Sequence, residues 1–162
     1  MRKEFVNQQF LCFTDSAPVL ERDLAFRAGL GWIGKNTCVI HPQHGSLFFL
    51  GEILTSLQLH SETPQMADFC GTCDRCIQAC PTQALSVRKL EASKCISYWT
   101  IEARMDAPEA LRPKFGDWFF GCDICQTVCP WNEKAFGLSK KPITQPSPAE
   151  MIPDLRWILT TS

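Results

Sequence analysis

No run of apolar residues in this 162-residue chain approaches the roughly 20 needed to span a bilayer, so a membrane-spanning helix is excluded. The opening Met1-Arg2-Lys3-Glu4 leads into polar Asn7, Gln8 and Gln9, and no secretory leader is expected there. An excess of one charge is missing too. Lys and Arg number 16 against 17 Asp and Glu, and a net charge of −1 does not announce a nucleic-acid binder. A local basic patch stays open, because recognition depends on where charge sits. Against these absences stand ten cysteines. Many cysteines without an export signal argue for metal-binding thiols rather than disulfides, and for a cytoplasmic protein. The length fits one domain, or one and a piece. A hydrophobic share of 45% supports a core that metal ligation would supplement.

The cysteines fall into two sets. The first reads Cys70-Gly71-Thr72-Cys73-Asp74-Arg75-Cys76-Ile77-Gln78-Ala79-Cys80-Pro81. The second is Cys95 alone, followed by Cys122-Asp123-Ile124-Cys125-Gln126-Thr127-Val128-Cys129-Pro130. The sets form a degenerate repeat whose second copy lacks one cysteine, which Cys95 can supply. C-x2-C-x2-C-x3-C-P is the spacing that wraps a cubic [4Fe–4S] cluster with three thiolates and sends the fourth to a neighbouring cluster. Applied here, one cluster takes Cys70, Cys73, Cys76 and Cys129, and the other takes Cys80, Cys95, Cys122 and Cys125. Zinc also uses CxxC pairs, but needs neither the third cysteine at x2 nor the fourth at x3 before proline. Cys12 and Cys38 stay outside both sets and read as small buried hydrophobes.

Ahead of the cysteines, Ser16 and Pro18 suit the start of a helix. Its apolar stripe is Val19, Leu20, Leu24 and Ala28, and Gly29 suits its stop. A Gly-rich loop follows around Trp32. Residues 37–41 and 46–55 read as strands joined by a turn over 42–45. The continuous run Leu47-Phe48-Phe49-Leu50 predicts a strand covered on both faces. Residues 58–69 read as a polar linker. Helices are expected over 93–103 and 108–115, weak periodicity beyond Asn132, irregular chain over 138–150 and the start of a further region over 151–162. Asp15, just before the first helix, suits a turn or cap, and equally a general acid if shielding keeps it protonated. His41 and His44 flank a turn and are not taken as ligands. Arg88, Lys89, Lys94, Arg104, Arg112 and Lys114, with Tyr98 and Trp99 among them, form either a solvated face or an RNA-contacting patch.

Asp15-Ser16-Ala17-Pro18-Val19-Leu20-Glu21-Arg22, Gly31-Trp32-Ile33-Gly34-Lys35-Asn36 and Gly45-Ser46-Leu47-Phe48-Phe49-Leu50-Gly51-Glu52 together resemble the epoxyqueuosine reductases. The cysteine sets match that family in order and spacing. The resemblance covers residues 10–135, and the chain looks like the family's central part, without its N-terminal and C-terminal portions. It implies an α+β fold: part of a cobalamin-binding α/β sheet domain over 1–60 and a bacterial dicluster ferredoxin-like domain over 61–135. A linker and the start of a further region follow over 136–162. It implies reduction of epoxyqueuosine to queuosine in tRNA, with electrons passing through two [4Fe–4S] clusters to cobalamin and Asp15 as proton donor. Val39, Leu50, Ile53, Ser97, Cys122 and Asp123 are the implied cobalamin contacts. The implied partners are tRNA and an external electron donor, with no membrane, and the protein is expected to be a monomer. Two other readings share the cysteines: a dicluster ferredoxin-type carrier, and a reductive-dehalogenase-like cobalamin enzyme. The latter uses a tyrosine donor, and the single tyrosine here, Tyr98, lies between the cluster motifs.

Overall fold

The computed structural model describes residues 5, 7–60 and 64–137. The irregular chain expected over 138–150, and the further region over 151–162, lie outside the described residues. In chain order the elements are strand β1 (Phe10–Phe13), helix α1 (Glu21–Arg27), strands β2 (Trp32–Ile33), β3 (Val39–Ile40) and β4 (Glu52–Thr55), then helix α2 (Arg75–Gln78). Strands β5 (Leu85–Ser86) and β6 (Lys89–Leu90) and helices α3 (Ile124–Thr127) and α4 (Pro130–Phe136) complete them. The strands pair as three antiparallel two-stranded ladders, β1–β4, β2–β3 and β5–β6. The expected α/β sheet is therefore not present as one sheet among the described residues.

Several local expectations shift. Helix α1 begins at Glu21, not at Ser16. Residues 14–18 are bends, with Asp15 at φ +49 and the Val19 amide donating to the Ala17 carbonyl at 2.7 Å. That tight turn leaves no helical path before Leu20. The far end agrees with expectation: Ala28 caps the helix and Gly29 takes φ +70. Leu20 stays 75% exposed, so the expected apolar stripe is not buried by the described residues. The strand expected over 46–55 shortens to β4, which pairs with β1 in the register Phe10↔Thr55 to Phe13↔Glu52. Residues 47–50 do not extend β3, because the chain reverses over 41–45, where His41 and Gly45 exchange backbone hydrogen bonds. The run is not covered on both faces; Phe49 is 99% exposed. The helix expected over 93–103 divides into a 3-10 turn at Ala92–Lys94 and a π-type turn at Tyr98–Glu102, with Cys95 extended between them. That over 108–115 reduces to a 3-10 turn, Arg112–Lys114.

The buried core joins the Gly-rich loop to the second cysteine run. Trp32, Ile40 and Cys129 pack together with Met66, Cys70 and Trp131 against them. A Cβ on Gly31 would meet the Ile40 carbonyl, so this close crossing of β2 and β3 requires glycine. Polar contacts reinforce the join. Asn132 is fully buried: its Oδ1 accepts the Ser46 amide at 2.5 Å, and its Nδ2 donates to Ser46 Oγ at 2.9 Å and the Gln126 carbonyl at 2.8 Å. Asn36 Nδ2 donates to the Cys125 carbonyl at 3.2 Å. Replacing Asn132 with alanine orphans buried partners and is expected to cost about 2–4 kcal/mol, read as a lowered urea midpoint. An unchanged midpoint would show that these bonds do not hold the two halves together.

Candidate metal centre and adjoining groove

The two cysteine runs fold alike. Asp74 and Asp123 occupy matching positions, and the carbonyl of each accepts two amides from the single-turn helix that follows, α2 or α3. The two helices pack against each other. Each turn separates one cysteine from the next by four residues (Cys76 from Cys80, Cys125 from Cys129). Cys76 and Cys125 sit within the short helices, whereas Cys80 and Cys129 lie beyond their ends, each just before a proline, and the two members of each pair line different cavities.

One cavity, of about 320 Å³, is lined by Cys70, Cys73, Cys76 and Cys129 together with Lys35, Phe69 and Trp131. The other, of about 240 Å³, is lined by Cys80, Cys95, Cys122 and Cys125 with Thr82, Ala84 and Ser97. Each cavity thus draws thiols from both halves of the repeat. Four thiolates on one zinc ion would all lie about 2.3 Å from a single point. Among the described residues no group of three or more His, Cys, Asp or Glu side chains is disposed to hold a single ion. Rings of four cysteines around a cavity suit a cube, whose corners lie apart.

Burial pushes the thiols of Cys76, Cys122 and Cys129 above the usual thiol range, only partly offset by nearby amides. Neighbouring thiols add to the shift within each set: Cys129 and Cys70 at Cys76, Cys95 and Cys80 at Cys122. Cys125 is pushed up furthest, by burial and then by Cys38 and Cys122. A raised folded-state value keeps the thiol neutral to higher pH, so the metal-free fold loses stability as pH rises past the ordinary thiol range. Cluster binding needs thiolates and has the opposite sign: protons must leave, and retention weakens as pH falls. Iron loss to a chelator is expected to quicken between about pH 8 and about pH 6. A rate independent of pH would contradict thiolate ligation.

A third cavity, an open groove of about 550 Å³, is lined by the 46–50 run, Val39 and Asp123. It shares Arg22, Cys38, Asp123 and Gln126 with the second cysteine cavity, so the two adjoin. Of the implied cobalamin contacts, Val39, Leu50 and Asp123 line this groove, while Ser97 and Cys122 line the cysteine cavity behind it. Ile53 lies on β4, 49% exposed, and lines neither. Phe48 and Phe49, within the 39–53 segment that the resemblance places along the corrin pocket, line the groove too, and Arg22 and Gln126 belong to it without having been named as contacts beforehand. The signal for the two phenylalanines was their continuous apolar run, which is solvent-facing here rather than a buried strand. Exposed aromatics beside a few polar groups fit one face of a large flat cofactor.

Asp15 is exposed, and its amide donates to Glu21 Oε1 at 2.8 Å. Next to it, Thr14 Oγ1 donates to the Leu50 carbonyl at 2.8 Å, stitching the Asp15 loop to the groove wall. Burial, then Glu21, pushes the nearby Glu52 carboxyl up. Cys38 is half-buried between groove and cavity, and burial drives its thiol up to about 11. Cys12, expected to be buried, is exposed, because the middle of β1 faces outward. His41 Nδ1 accepts the Gln43 and His44 amides and serves the turn. Of the basic residues between the runs, Arg88 pairs with Asp68, Lys94 with Glu91 and Arg112 with Asp106.

The family described as "4Fe-4S double cluster binding domain" matches residues 69–132. A curated epoxyqueuosine reductase of Cyclobacterium marinum is 52% identical over 121 residues, covering 74% of this chain and 39% of that protein. One of Xanthomonas campestris pv. campestris is 56% identical over 124 residues, covering 76% of this chain and 35% of that protein. Over about three quarters of its length the chain matches the epoxyqueuosine reductases. It spans about two-fifths of the length of the curated relatives it matches. Solved epoxyqueuosine reductases share its fold. One from Bacillus subtilis, with its catalytic Asp loop swung out of the active site, superposes with a TM-score of 0.76 at 33% identity, over 91% of this chain and 38% of that one. Another, with an epoxyqueuosine-modified tRNA-Tyr stem loop, gives 0.76 at 35% identity, over 91% of this chain and 39% of that one. Among the described residues no helix is long and apolar enough to cross a membrane.

Proposed function

We propose that this chain carries the electron path and the proton donor of an epoxyqueuosine reductase, converting epoxyqueuosine to queuosine in tRNA. The observation that carries the reading is continuity. The cysteine cavities adjoin through α2 and α3, the second shares Asp123 and Gln126 with the groove, and Thr14 ties the Asp15 loop to that groove at Leu50. Residues 61–135 form the cluster-bearing unit, and residues 1–60 contribute the groove and the Asp15 loop.

Turning an epoxide into an alkene takes two electrons and two protons and releases one water. No side chain supplies those electrons; the two clusters and a cobalamin, when bound, supply them. Cys70, Cys73, Cys76 and Cys129 would hold one cluster, and Cys80, Cys95, Cys122 and Cys125 the other. Val39 and Leu50, with Phe48 and Phe49, would offer an apolar face to the corrin. Ser97, Cys122 and Asp123 would contact it from the cluster side; Ile53, which lines neither cavity, is assigned no contact. Asp15 would give its proton to the epoxide oxygen as the C–O bond breaks, avoiding an alkoxide leaving group. This role calls for a carboxyl shielded from water, so bound substrate must cover Asp15. The substrate reading is supported by the relative solved with a modified tRNA stem loop. A one-electron donor, a cytoplasmic setting and a monomeric state belong to the same reading.

Iron, sulfide and cobalt content after oxygen-free purification is the first test, followed by mass analysis of nucleosides from epoxyqueuosine-containing tRNA. Two cubes per chain, a shifted corrin spectrum on adding cobalamin, and queuosine formation are expected. The Cyclobacterium marinum relative serves as full-length control. Iron-free protein would overturn the reading. An unaltered corrin spectrum in chain and control alike would favour a dicluster ferredoxin-type carrier, which the match at residues 69–132 also fits. That carrier leaves the groove unexplained. Tyr98 does not line the groove, which disfavours tyrosine-dependent dehalogenase chemistry.

A further inference from the structure

The two copies of the cysteine repeat differ at one position that touches a ligand sulfur. After Cys80-Pro81 comes Thr82; after Cys129-Pro130 comes Trp131. Thr82 is 3% exposed, and its Oγ1 lies 3.6 Å from Cys80 Sγ. The Ala84 amide donates to the same sulfur at 3.2 Å. Among the other proposed ligand sulfurs in the described residues, Cys70 has a side-chain partner, the Asp68 carboxylate, an acceptor that offers a thiolate no hydrogen. Cys129 meets only main-chain amides, those of Trp131 and Asn132.

Resting on the ligand sets proposed above, we propose that Thr82 raises the reduction potential of the cluster held by Cys80, Cys95, Cys122 and Cys125. A ligating sulfur is a thiolate with no proton to give, so the hydroxyl of Thr82 must be the donor. A buried hydroxyl also needs a partner, and this sulfur is the one it has. Reduction adds one electron and breaks no bond. Part of the added charge spreads onto the ligating sulfurs, where a hydrogen bond to Cys80 strengthens and favours the reduced form. Hydrogen bonds to ligand sulfurs are among the established controls of cluster potential. The cavity so tuned is the one that adjoins the groove. Thr82 therefore draws the electron toward the groove rather than leaving it on the outer cluster. It is a positioning residue for the electron, since it acts through Cys80.

The test is potentiometric electron paramagnetic resonance on the anaerobically prepared, cluster-loaded chain, poised with dithionite. Thr82→Val keeps the shape and removes the donor; Thr82→Ser restores a donor. In Thr82→Val, one of the two midpoints is expected to move negative while iron and sulfide stay at two cubes. At a fixed potential the reduced-to-oxidised ratio of that cluster should fall several-fold and at most about tenfold, tenfold being about 59 mV for one electron. Thr82→Ser should recover most of the shift. Unmoved midpoints with two full cubes, or a shift that serine does not recover, would overturn the inference. If Thr82→Val loses a cube, resonance Raman of the wild type decides. Fe–S(Cys) bands that shift in D2O beyond those of Thr82→Ala support the bond, and identical shifts overturn it. Wild-type chain without two cubes would instead sink the underlying ligand assignment.

Discussion

Asp15→Asn is expected to slow epoxide reduction by about a hundred- to ten-thousandfold, the usual contribution of a positioned general acid, while both clusters stay loaded. Asparagine is the informative substitution. Asp15 sits at φ +49, a conformation asparagine tolerates and alanine adopts only with strain. Its amide bond to Glu21 belongs to the backbone and survives the change. The variant removes a transferable proton and little else. Asp15→Ala should give the same loss of chemistry with a small added cost in loop order. Queuosine formation in a single turnover, set beside iron and sulfide counts, is the measurement. Turnover equal to wild type in Asp15→Asn would take Asp15 out of the mechanism. Loss of iron in the same variant would make its role structural.

Cys80→Ser is expected to empty the cavity built mainly from later cysteines, although Cys80 lies in the earlier run. Iron should drop from about eight to about four atoms per chain, because a cube missing one of its thiolates is the one at risk. Alkylation followed by mass mapping locates the damage. Cys95, Cys122 and Cys125 should become reactive, while Cys70, Cys73, Cys76 and Cys129 stay protected. Cys129→Ser should reverse the pattern. Newly reactive Cys70, Cys73 and Cys76 in Cys80→Ser would reject the crossed arrangement in favour of one cluster per run. The geometric basis is plain. Cys80 lies in the cavity with Cys95, and Cys129 in the cavity with Cys70.

How much was legible beforehand varies with the range of the interaction responsible. The cysteine spacing expresses local chemistry, a turn wrapping a cube, and the grouping derived from it coincides with the grouping of thiols around the two cavities. The stop at Gly29 is equally local. Helix α1 was placed too early because Ser16 and Pro18 carry good start signals, and nothing nearby shows that Thr14 is committed to the Leu50 carbonyl. Strand β1 went unnoticed because its partner β4 lies about 40 residues away. The 47–50 run has the composition of a buried strand; what it lacks is a neighbouring strand to pair with.

Residue order alone therefore determined how the cysteines group, and the family likeness that points to Asp15. Both depend on spacing and residue type within short stretches. Tertiary structure decided that Asp123 and Gln126 stand at once beside the cysteines and on the groove, and that Thr82 is buried against Cys80. It also made Asn132 the buried tie between Ser46 and the second run. Such placements arise where distant segments pack to satisfy buried polar groups and fill space, and no local pattern encodes that meeting.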